Sequence, residues 1–115
     1  MNRQQLKQQL LDERNNCDWC GKELNLATDM HEWLIKRSAV GKRHKAKIMS
    51  EMNCALLHHD CHMKHGQTKA MTIRLAPKFV ARYGKQVMLD FVHSLELKAP
   101  QQYINIINKC FVLYW

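Results

Sequence analysis

Cys17-Asp-Trp-Cys20 and His58-His-Asp-Cys61 are the two stretches of sequence that decide the fold of this chain. In each stretch, two residues separate a pair of side chains that can bind a metal ion. A Cys-x2-Cys turn holds two thiolates at a separation that suits tetrahedral zinc, and a second pair farther along the chain can complete four ligands. We therefore predict a structural Zn2+ ion bound by Cys17, Cys20, His58 and Cys61.

The fourth zinc ligand has two alternatives. His59 follows His58 directly, and Cys54 lies about one helical turn before it. Either residue could replace His58 if the loop winds differently. His58 keeps the two-residue spacing to Cys61, so we expect His58 to be the ligand.

The charge of the chain indicates a polyanionic partner. Its 115 residues include 18 Lys and Arg against 10 Asp and Glu, which gives a formal net charge of +8. Such an excess favours nucleic acid through the release of condensed counterions. Six of the cations fall in one short run after His31: Lys36, Arg37, Lys42, Arg43, Lys45 and Lys47. We expect DNA to be the partner.

The cysteine count and the chain ends indicate a compartment. Five cysteines cannot all pair within one chain, and the polar, Gln-rich residues 1–10 do not resemble a secretion signal. The apolar stretch near the C-terminus contains Asn105, Asn108 and Lys109 and is far shorter than the roughly 20 residues of a membrane span. We expect a soluble protein of a reducing cytoplasm, with no membrane association.

The sequence pattern of the N-terminal half predicts one helix and one extended segment. Over residues 3–14, three leucines fall on one helical stripe: Leu6, Leu10 and Leu11. Residues 24–35 favour a short extended segment around His31. Residues 38–50 contain Gly41 and a basic run with little periodicity, which predicts a loop with a short helical turn.

The C-terminal half predicts helices. Five residues that follow Cys54 lie at helical separations, so that they could share one face: Leu57, His58, Cys61, His62 and His65. Gly66 suits the end of that helix. Pro77 suits the first turn of a helix over residues 78–83, and Gly84 separates it from a second apolar run.

The last apolar segment, residues 103–115, has no periodicity that settles its structure. We expect this segment either to pack on the domain or to form a homodimer.

These residues together resemble the HNH endonucleases, a family within the nucleases built on a ββα-metal motif. The resemblance rests on Cys17-x2-Cys20, on His31 and on the stretch Asn53-Cys-Ala-Leu-Leu-His58-His-Asp-Cys61-His62. It covers about residues 17–66, and the family normally has a cysteine where this chain has His58. The resemblance implies an α+β fold in a single domain, residues 1–115. A small zinc-stabilised ββα-metal core would carry an N-terminal helix and a helical extension over residues 67–115.

The resemblance also implies a function. Such proteins are metal-dependent DNA endonucleases or nickases that hydrolyse phosphodiester bonds, and small free-standing members are often encoded by phages. A phage-encoded protein would act in the cytoplasm of its host cell. His31 would take the proton from the attacking water, and Asn53 would orient that histidine or brace its loop. His62 would bind the catalytic Mg2+ or Mn2+, and His65 could add a second nitrogen ligand.

The departure from the family pattern lies at His31. The family usually has a metal-binding residue directly before the general-base histidine, whereas here Met30 precedes His31 and Glu32 follows it. In the first register His31 is the base, and Asp29 or Glu32 supplies the missing metal ligand. In the second, His31 binds the metal and Glu32 is the base. We favour the first, since carboxylates suit Mg2+ and histidine suits proton transfer.

Basic residues near this site are candidates for DNA contacts, namely Arg37, Lys42, Arg43 and Lys64. A second functional hypothesis is a zinc-stabilised module that binds nucleic acid without catalysis. A third is a protein-interaction adaptor that uses the apolar C-terminal segment, and the charge of +8 argues against it.

Overall fold

The computed structural model describes residues 2–66 and 68–110 of the chain. Over these residues it contains five α-helices and one sheet of two antiparallel strands. The elements follow in the order α1 (Arg3–Glu13), β1 (Thr28–Glu32), β2 (Cys54–His58), α2 (His59–His65), α3 (Lys69–Tyr83), α4 (Lys85–Ser94) and α5 (Gln101–Asn108). The predicted α+β class is confirmed. Residues 111–115 of the predicted apolar segment lie outside the described residues.

The two strands bury both faces of the sheet. In the register, Met30 pairs with Leu56 and His31 pairs with Ala55. Met30 and Leu56 pack with two leucines of α1, whereas Ala55 belongs to the larger core with α3 and α4. Because successive side chains of a strand point to opposite faces, each strand connects two separate clusters. The sheet therefore lies between α1 and the C-terminal helices.

Helix α1 matches its prediction. Asn2 caps it, since the Asn2 side chain accepts a hydrogen bond from the backbone N–H of Gln5, and the Gln5 side chain accepts one from the backbone of Asn2. Leu6 and Leu10, one turn apart, are buried. Burial of such a side chain is worth about 1.5–3 kcal/mol, so these two leucines fix α1 on the sheet.

The prediction of one helical face after Cys54 is wrong in its first part. Residues Cys54–His58 form strand β2, and α2 begins only at His59. Spacing alone cannot separate a short buried strand from a buried helical segment, and pairing with β1 decides the outcome here. His58 is therefore the last strand residue, while Cys61, His62 and His65 do lie on a helix. The helix ends at Gly66, as predicted.

The prediction for Pro77 is also wrong. Pro77 lies inside α3 rather than in its first turn, and the cap of α3 is Thr68, whose side chain accepts a hydrogen bond from the backbone of Met71. Buried residues on both sides of the proline, including Leu75 and Phe79, hold the helix in place despite the missing N–H. The break at Gly84 is confirmed, with φ at 92°.

The loop between the strands contains short 3-10 turns at Arg37–Ala39 and Lys42–His44, as predicted for this region. Among the helices that the structure describes, none has the length and apolar composition needed to span a membrane.

Candidate functional site

Four side chains form what we term the four-ligand cluster: Cys17, Cys20, His58 and Cys61. Their potential ligand atoms all lie within 4.8 Å of one another. Three thiols and one imidazole are an ordinary donor set for structural zinc. Within residues 2–66 and 68–110, this is the one group of three or more such side chains with the geometry to hold a metal ion. The cluster can therefore bind a structural metal such as zinc.

A tight turn brings the first two thiols together. The backbone N–H of Cys17 donates to the carbonyl of Lys22 at 2.8 Å, and the N–H of Gly21 donates to the carbonyl of Cys17 at 2.9 Å. Gly21 has a φ of 77°, a conformation that glycine adopts without steric cost. The turn is thus closed by backbone hydrogen bonds and does not use either thiol to close it.

The imidazole of His58 is oriented by a hydrogen bond on its far side. Its Nε2 lies 2.7 Å from the carbonyl oxygen of Glu23, which can only accept, so Nε2 carries the proton. Its Nδ1 lies 3.2 Å from the Sγ of Cys20 and 3.9 Å from the Sγ of Cys61. Histidines that bind metals typically donate their other ring N–H to such an acceptor. His58 therefore presents a lone pair to the cluster.

The two alternative ligands are placed elsewhere. Cys54 is fully buried between α1 and the sheet, where burial raises the pKa of its thiol to about 12. His59 points its Nδ1 at the carboxylate of Asp29, at a distance of 2.8 Å. The structure therefore selects His58 as the fourth member of the cluster.

The protonation of Cys61 depends on its surroundings in the cluster. Burial and then the neighbouring Cys17 raise the pKa of the Cys61 thiol to about 12. Thiolates packed this closely repel one another, and a bound cation reverses this balance because coordinated thiols lose their protons. A metal ion that binds here would therefore displace the proton of Cys61.

Beside the cluster lies a second arrangement, which we term the depression. Its volume is about 200 Å³, and six residues line it: Arg3, Met30, His31, Glu32, Lys36 and His62. Strand β1 supplies the central pair His31 and Glu32, α2 supplies His62, and α1 supplies Arg3. The fold therefore brings three of the predicted catalytic residues to one place, with two cations around them.

His31 is buried against His62. It is 7% exposed, and the two imidazole ring centres lie 4.9 Å apart. Burial and the nearby His62 lower the pKa of His31 to about 4, and a hydrogen bond to the backbone of Gly66 opposes this shift only partly. His31 is accordingly neutral at physiological pH, the form in which an imidazole can accept a proton.

Glu32 is held by two arginines. Its Oε1 lies 3.3 Å from Nη1 of Arg3 and 3.8 Å from Nη2 of Arg37. The carboxylate is largely shielded, whereas both guanidinium groups are about half exposed. The mouth of the depression therefore carries one carboxylate among several cations, which include Lys36.

Asn53 lies behind the depression rather than in it. Its side chain is fully buried, and Oδ1 accepts hydrogen bonds from the backbone N–H of Ile35 at 2.8 Å and of Leu34 at 3.3 Å. Its Nδ2 donates to the carbonyls of Ile35 and Ile48. Asn53 thus braces the loop that follows β1, and the position of its side chain agrees with the bracing alternative.

Asp29 does not line the depression, although it was one of two candidates for the missing metal ligand. Its Oδ2 lies 2.8 Å from Nδ1 of His59 and 2.8 Å from Nδ1 of His62. Burial alone would raise the pKa of Asp29, but the hydrogen bonds from His62 and His59 outweigh this effect and hold the pKa below its usual range. Of the two candidate carboxylates, Glu32 is the one at the depression.

His65 lies against an aromatic side chain. Its ring stacks on Trp19, with ring centres 4.2 Å apart, and the guanidinium of Arg74 lies over the same indole at 4.3 Å. His65 is absent from the residues that line the depression. The position of His65 is explained by packing: its ring helps to hold the turn at residues 17–20 against α2 and α3.

The four predicted DNA-contact residues are all exposed, but they differ in their partners. Arg37 contacts Glu32, whereas Arg43 forms an ion pair with Glu96, which also accepts from His44 at 3.1 Å. Lys42 lies in the same loop, and Lys64 lies on α2. Arg43 is therefore engaged in a contact within the protein.

Sequence reasoning missed three features of the site. Arg3 and Lys36 were not identified as lining residues, and the Asp29 contacts with two histidines were not foreseen. The alternation of β1 could have revealed one of them, because Asp29 and His31 share a strand face. The position of Arg3 depends on how α1 packs against the sheet, which no local pattern encodes.

Comparison with known proteins adds no identification. The chain matches no model of a protein family, no curated protein and no solved structure. The functional interpretation therefore rests on the residues of the cluster and the depression.

Proposed function

We propose that this protein is a metal-dependent DNA endonuclease or nickase of the HNH type, with β1, β2 and α2 forming a zinc-stabilised ββα-metal core. The observation that carries the proposal is the depression, where His31, Glu32 and His62 line one small space beside the four-ligand cluster. Hydrolysis of a phosphodiester needs an activated water, neutralisation of phosphate charge and stabilisation of the leaving oxygen. The side chains of the depression suit these tasks.

Zinc in the four-ligand cluster would serve as a mechanical support. It would link the turn around Cys17 to the end of β2 and the first turn of α2. His62 directly follows Cys61 in the sequence. Zinc bound by Cys61 would therefore also fix the position of His62, which would bind the catalytic ion. A four-ligand site has no open position for substrate, and zinc would therefore act only through structure.

In the first register, His31 takes the proton from the attacking water. The neutral imidazole has a free lone pair, and its burial beside His62 fixes the ring. Removal of a general base of this kind typically reduces the rate by about 10²–10⁴-fold. Asn53 would keep the backbone after β1 in place without contact to the reacting atoms.

Glu32 and His62 would hold the catalytic Mg2+ or Mn2+. Both side chains line the depression, and one carboxylate with one imidazole leaves most positions of an octahedral ion for water and phosphate oxygens. When bound, such an ion supplies charge neutralisation on the phosphate and on the leaving oxygen. The ion pair of Glu32 with Arg3 and Arg37 would then open in favour of the metal.

The second register exchanges the two roles. His31 would bind the metal together with His62, whose ring centre is 4.9 Å away, and Glu32 would be the base. A loss of metal affinity in a Glu32→Gln variant supports the first register, whereas a loss of rate at unchanged metal affinity supports the second.

Cations around the depression would position the DNA backbone. Arg3, Lys36 and Arg37 stand beside the three catalytic candidates, and the net charge of the chain is +8. Contacts of this kind hold phosphates without reading base sequence.

The test is the nicking of supercoiled plasmid by zinc-loaded protein with Mg2+, Mn2+ or EDTA. We expect metal-dependent nicking that His31→Ala and His62→Ala abolish while both variants retain zinc and wild-type Tm. His93→Ala is a matched control, because His93 is exposed on α4. Nicking that survives both active-site substitutions would contradict the proposed site.

A second candidate function is a zinc-stabilised module that binds nucleic acid without cleaving it. One observation favours it: Glu32 is already paired with Arg3 and Arg37, as a structural carboxylate would be. Salt-dependent DNA binding by the wild type, without nicking under any metal, would establish this alternative.

A further inference from the structure

Asp29 joins two histidines of α2 through a single oxygen. The Oδ2 of Asp29 lies 2.8 Å from Nδ1 of His59 and 2.8 Å from Nδ1 of His62. Asp29 is the second of the five paired residues of β1, opposite Leu57, so the sheet holds its backbone. This carboxylate is therefore a rigid point of attachment for the first turn of α2.

The contact determines which ring nitrogen of His62 carries the proton. An ionised carboxylate can only accept hydrogen bonds, so Nδ1 of His62 must be the donor. In a neutral imidazole the other nitrogen then keeps its lone pair. Nε2 of His62 is consequently the nitrogen available to a metal ion.

The same ring is confined by Gly66, the residue directly after α2. A side-chain carbon at Gly66 would lie 2.5 Å from Cδ2 of His62, closer than such a carbon normally approaches another atom, and 3.2 Å from Nε2. The imidazole thus lies directly against the glycine backbone. Asp29 therefore fixes the orientation of the His62 ring through Nδ1, and Gly66 limits the movement of the ring at its opposite edge.

We infer that Asp29 is a positioning residue that presents Nε2 of His62 to the catalytic ion and does not bind that ion itself. The inference rests on the proposed function, since it concerns the same ion. Carboxylates that accept from a metal-binding histidine typically change metal affinity by about 10–100-fold when they are removed. His59 shares the carboxylate but is about half exposed and does not line the depression.

Other contacts hold α2 in place without Asp29. The backbone N–H of His59 donates to the carbonyl of Ala27 at 2.7 Å, and Cys61 belongs to the four-ligand cluster. Substitution of Asp29 should therefore leave the fold and the zinc content intact. Loss of ion binding would then report on His62 rather than on unfolding.

The experiment compares zinc-loaded wild type with Asp29→Ala and Asp29→Asn, and uses Asp60→Asn as the matched control because Asp60 is exposed on the same helix. Mn2+ affinity is measured by electron paramagnetic resonance. Long-range 1H–15N NMR at about pH 8, where an ordinary imidazole is neutral, identifies the protonated nitrogen of His62. We expect a proton on Nδ1 in the wild type, a mixture in Asp29→Ala, and Mn2+ binding about 10–100-fold weaker in Asp29→Ala.

Two results would overturn the inference. The first is a His62 proton on Nε2 in the wild type, a readout that needs no variant to fold. The second is unchanged Mn2+ affinity in Asp29→Ala; Asp29→Asn is the conservative variant, because its amide oxygen can still accept from Nδ1 of His62. Failure of the proposed function looks different: the wild type would bind Mn2+ in an Asp29-dependent way and yet leave plasmid DNA uncut. Conversely, Asp29→Ala could nick plasmid as efficiently as the wild type at the same metal concentration. That result would reject the role of Asp29 and leave the proposed nuclease function standing.

Discussion

The four-ligand cluster and the depression share the first turn of α2, but they are built differently. The cluster consists of two pairs of residues that are close in sequence, and a backbone carbonyl orients its one histidine, His58. The depression is assembled from α1, β1 and α2, together with Lys36 from the loop after β1. One site thus depends on local spacing and the other on tertiary packing.

This difference indicates how each site should respond to damage. Loss of the cluster removes the link between the turn at Cys17 and α2, and should therefore affect the fold and the depression together. Loss of a side chain in the depression should affect chemistry alone. The predictions that follow test this division, from the largest expected effect to the smallest.

Removal of the structural metal should have the largest effect. Structural zinc typically contributes about 10–16 kcal/mol in small domains, which is comparable to the whole stability of such a protein. We expect a strong chelator, or Cys61→Ser, to abolish cooperative thermal unfolding measured by circular dichroism. Cys110→Ser is the control, because Cys110 lies beyond the end of α5 and outside the cluster. A chelated protein with unchanged Tm would show that the cluster is not a structural metal site.

Substitutions in the depression should reduce cleavage without unfolding. His31→Gln should reduce the nicking rate by about 10²–10⁴-fold, since the proposed general base is lost. Glu32→Gln should raise the Mg2+ concentration needed for half-maximal nicking. Both variants should keep the zinc content and Tm of the wild type within a few degrees. A large decrease of Tm in either variant would show that the depression also contributes to the stability of the fold.

Asn53→Ala should destabilise the protein without releasing zinc. The backbone N–H of Ile35 and the carbonyls of Ile35 and Ile48 would lose their buried partner. Each such loss costs about 1–3 kcal/mol, and we expect a total on the order of 3 kcal/mol in urea unfolding after the loop relaxes. Asn105→Ala on the surface of α5 is the control. Unchanged stability would mean that the loop is held by other contacts.

The smallest effect concerns DNA affinity. Lys36 lines the depression, whereas Arg43 is paired with Glu96. We expect Lys36→Ala to reduce the slope of log affinity against log salt concentration by about one, as loss of a phosphate contact does, and Arg43→Ala to change it less. Fluorescence anisotropy with a labelled duplex measures both slopes. Equal slopes for the two variants would indicate that DNA contacts the whole basic loop rather than the depression alone.

The pairs around Cys17 and His58 could be predicted from the sequence because zinc chemistry constrains their spacing. The helix at residues 3–14 could be predicted because its leucines repeat at one turn. The strand at Cys54–His58 was predicted as helix, since its apolar residues also fit helical separations and only pairing with β1 distinguishes the two.

The depression was predicted only in part. His31 and His62 were identified by resemblance, but the choice between Asp29 and Glu32 needed the tertiary structure. Asp29 faces His59 and His62, and Glu32 lines the depression with Arg3. These contacts join elements that are distant in sequence, so no local pattern could specify them.

The long connection between the strands has a consequence for the order of folding. Residues 33–53 separate β1 from β2, whereas a tight hairpin needs only two residues. Closing a loop of this length costs about 2–3 kcal/mol of chain entropy, beyond a fixed term, before any strand contact forms. The hydrogen bonds of Asn53 to Ile35 and Ile48 hold the closed loop. We therefore expect the sheet to form late, after the local turn at Cys17 and the helices, so that both sites mature in the last step of folding.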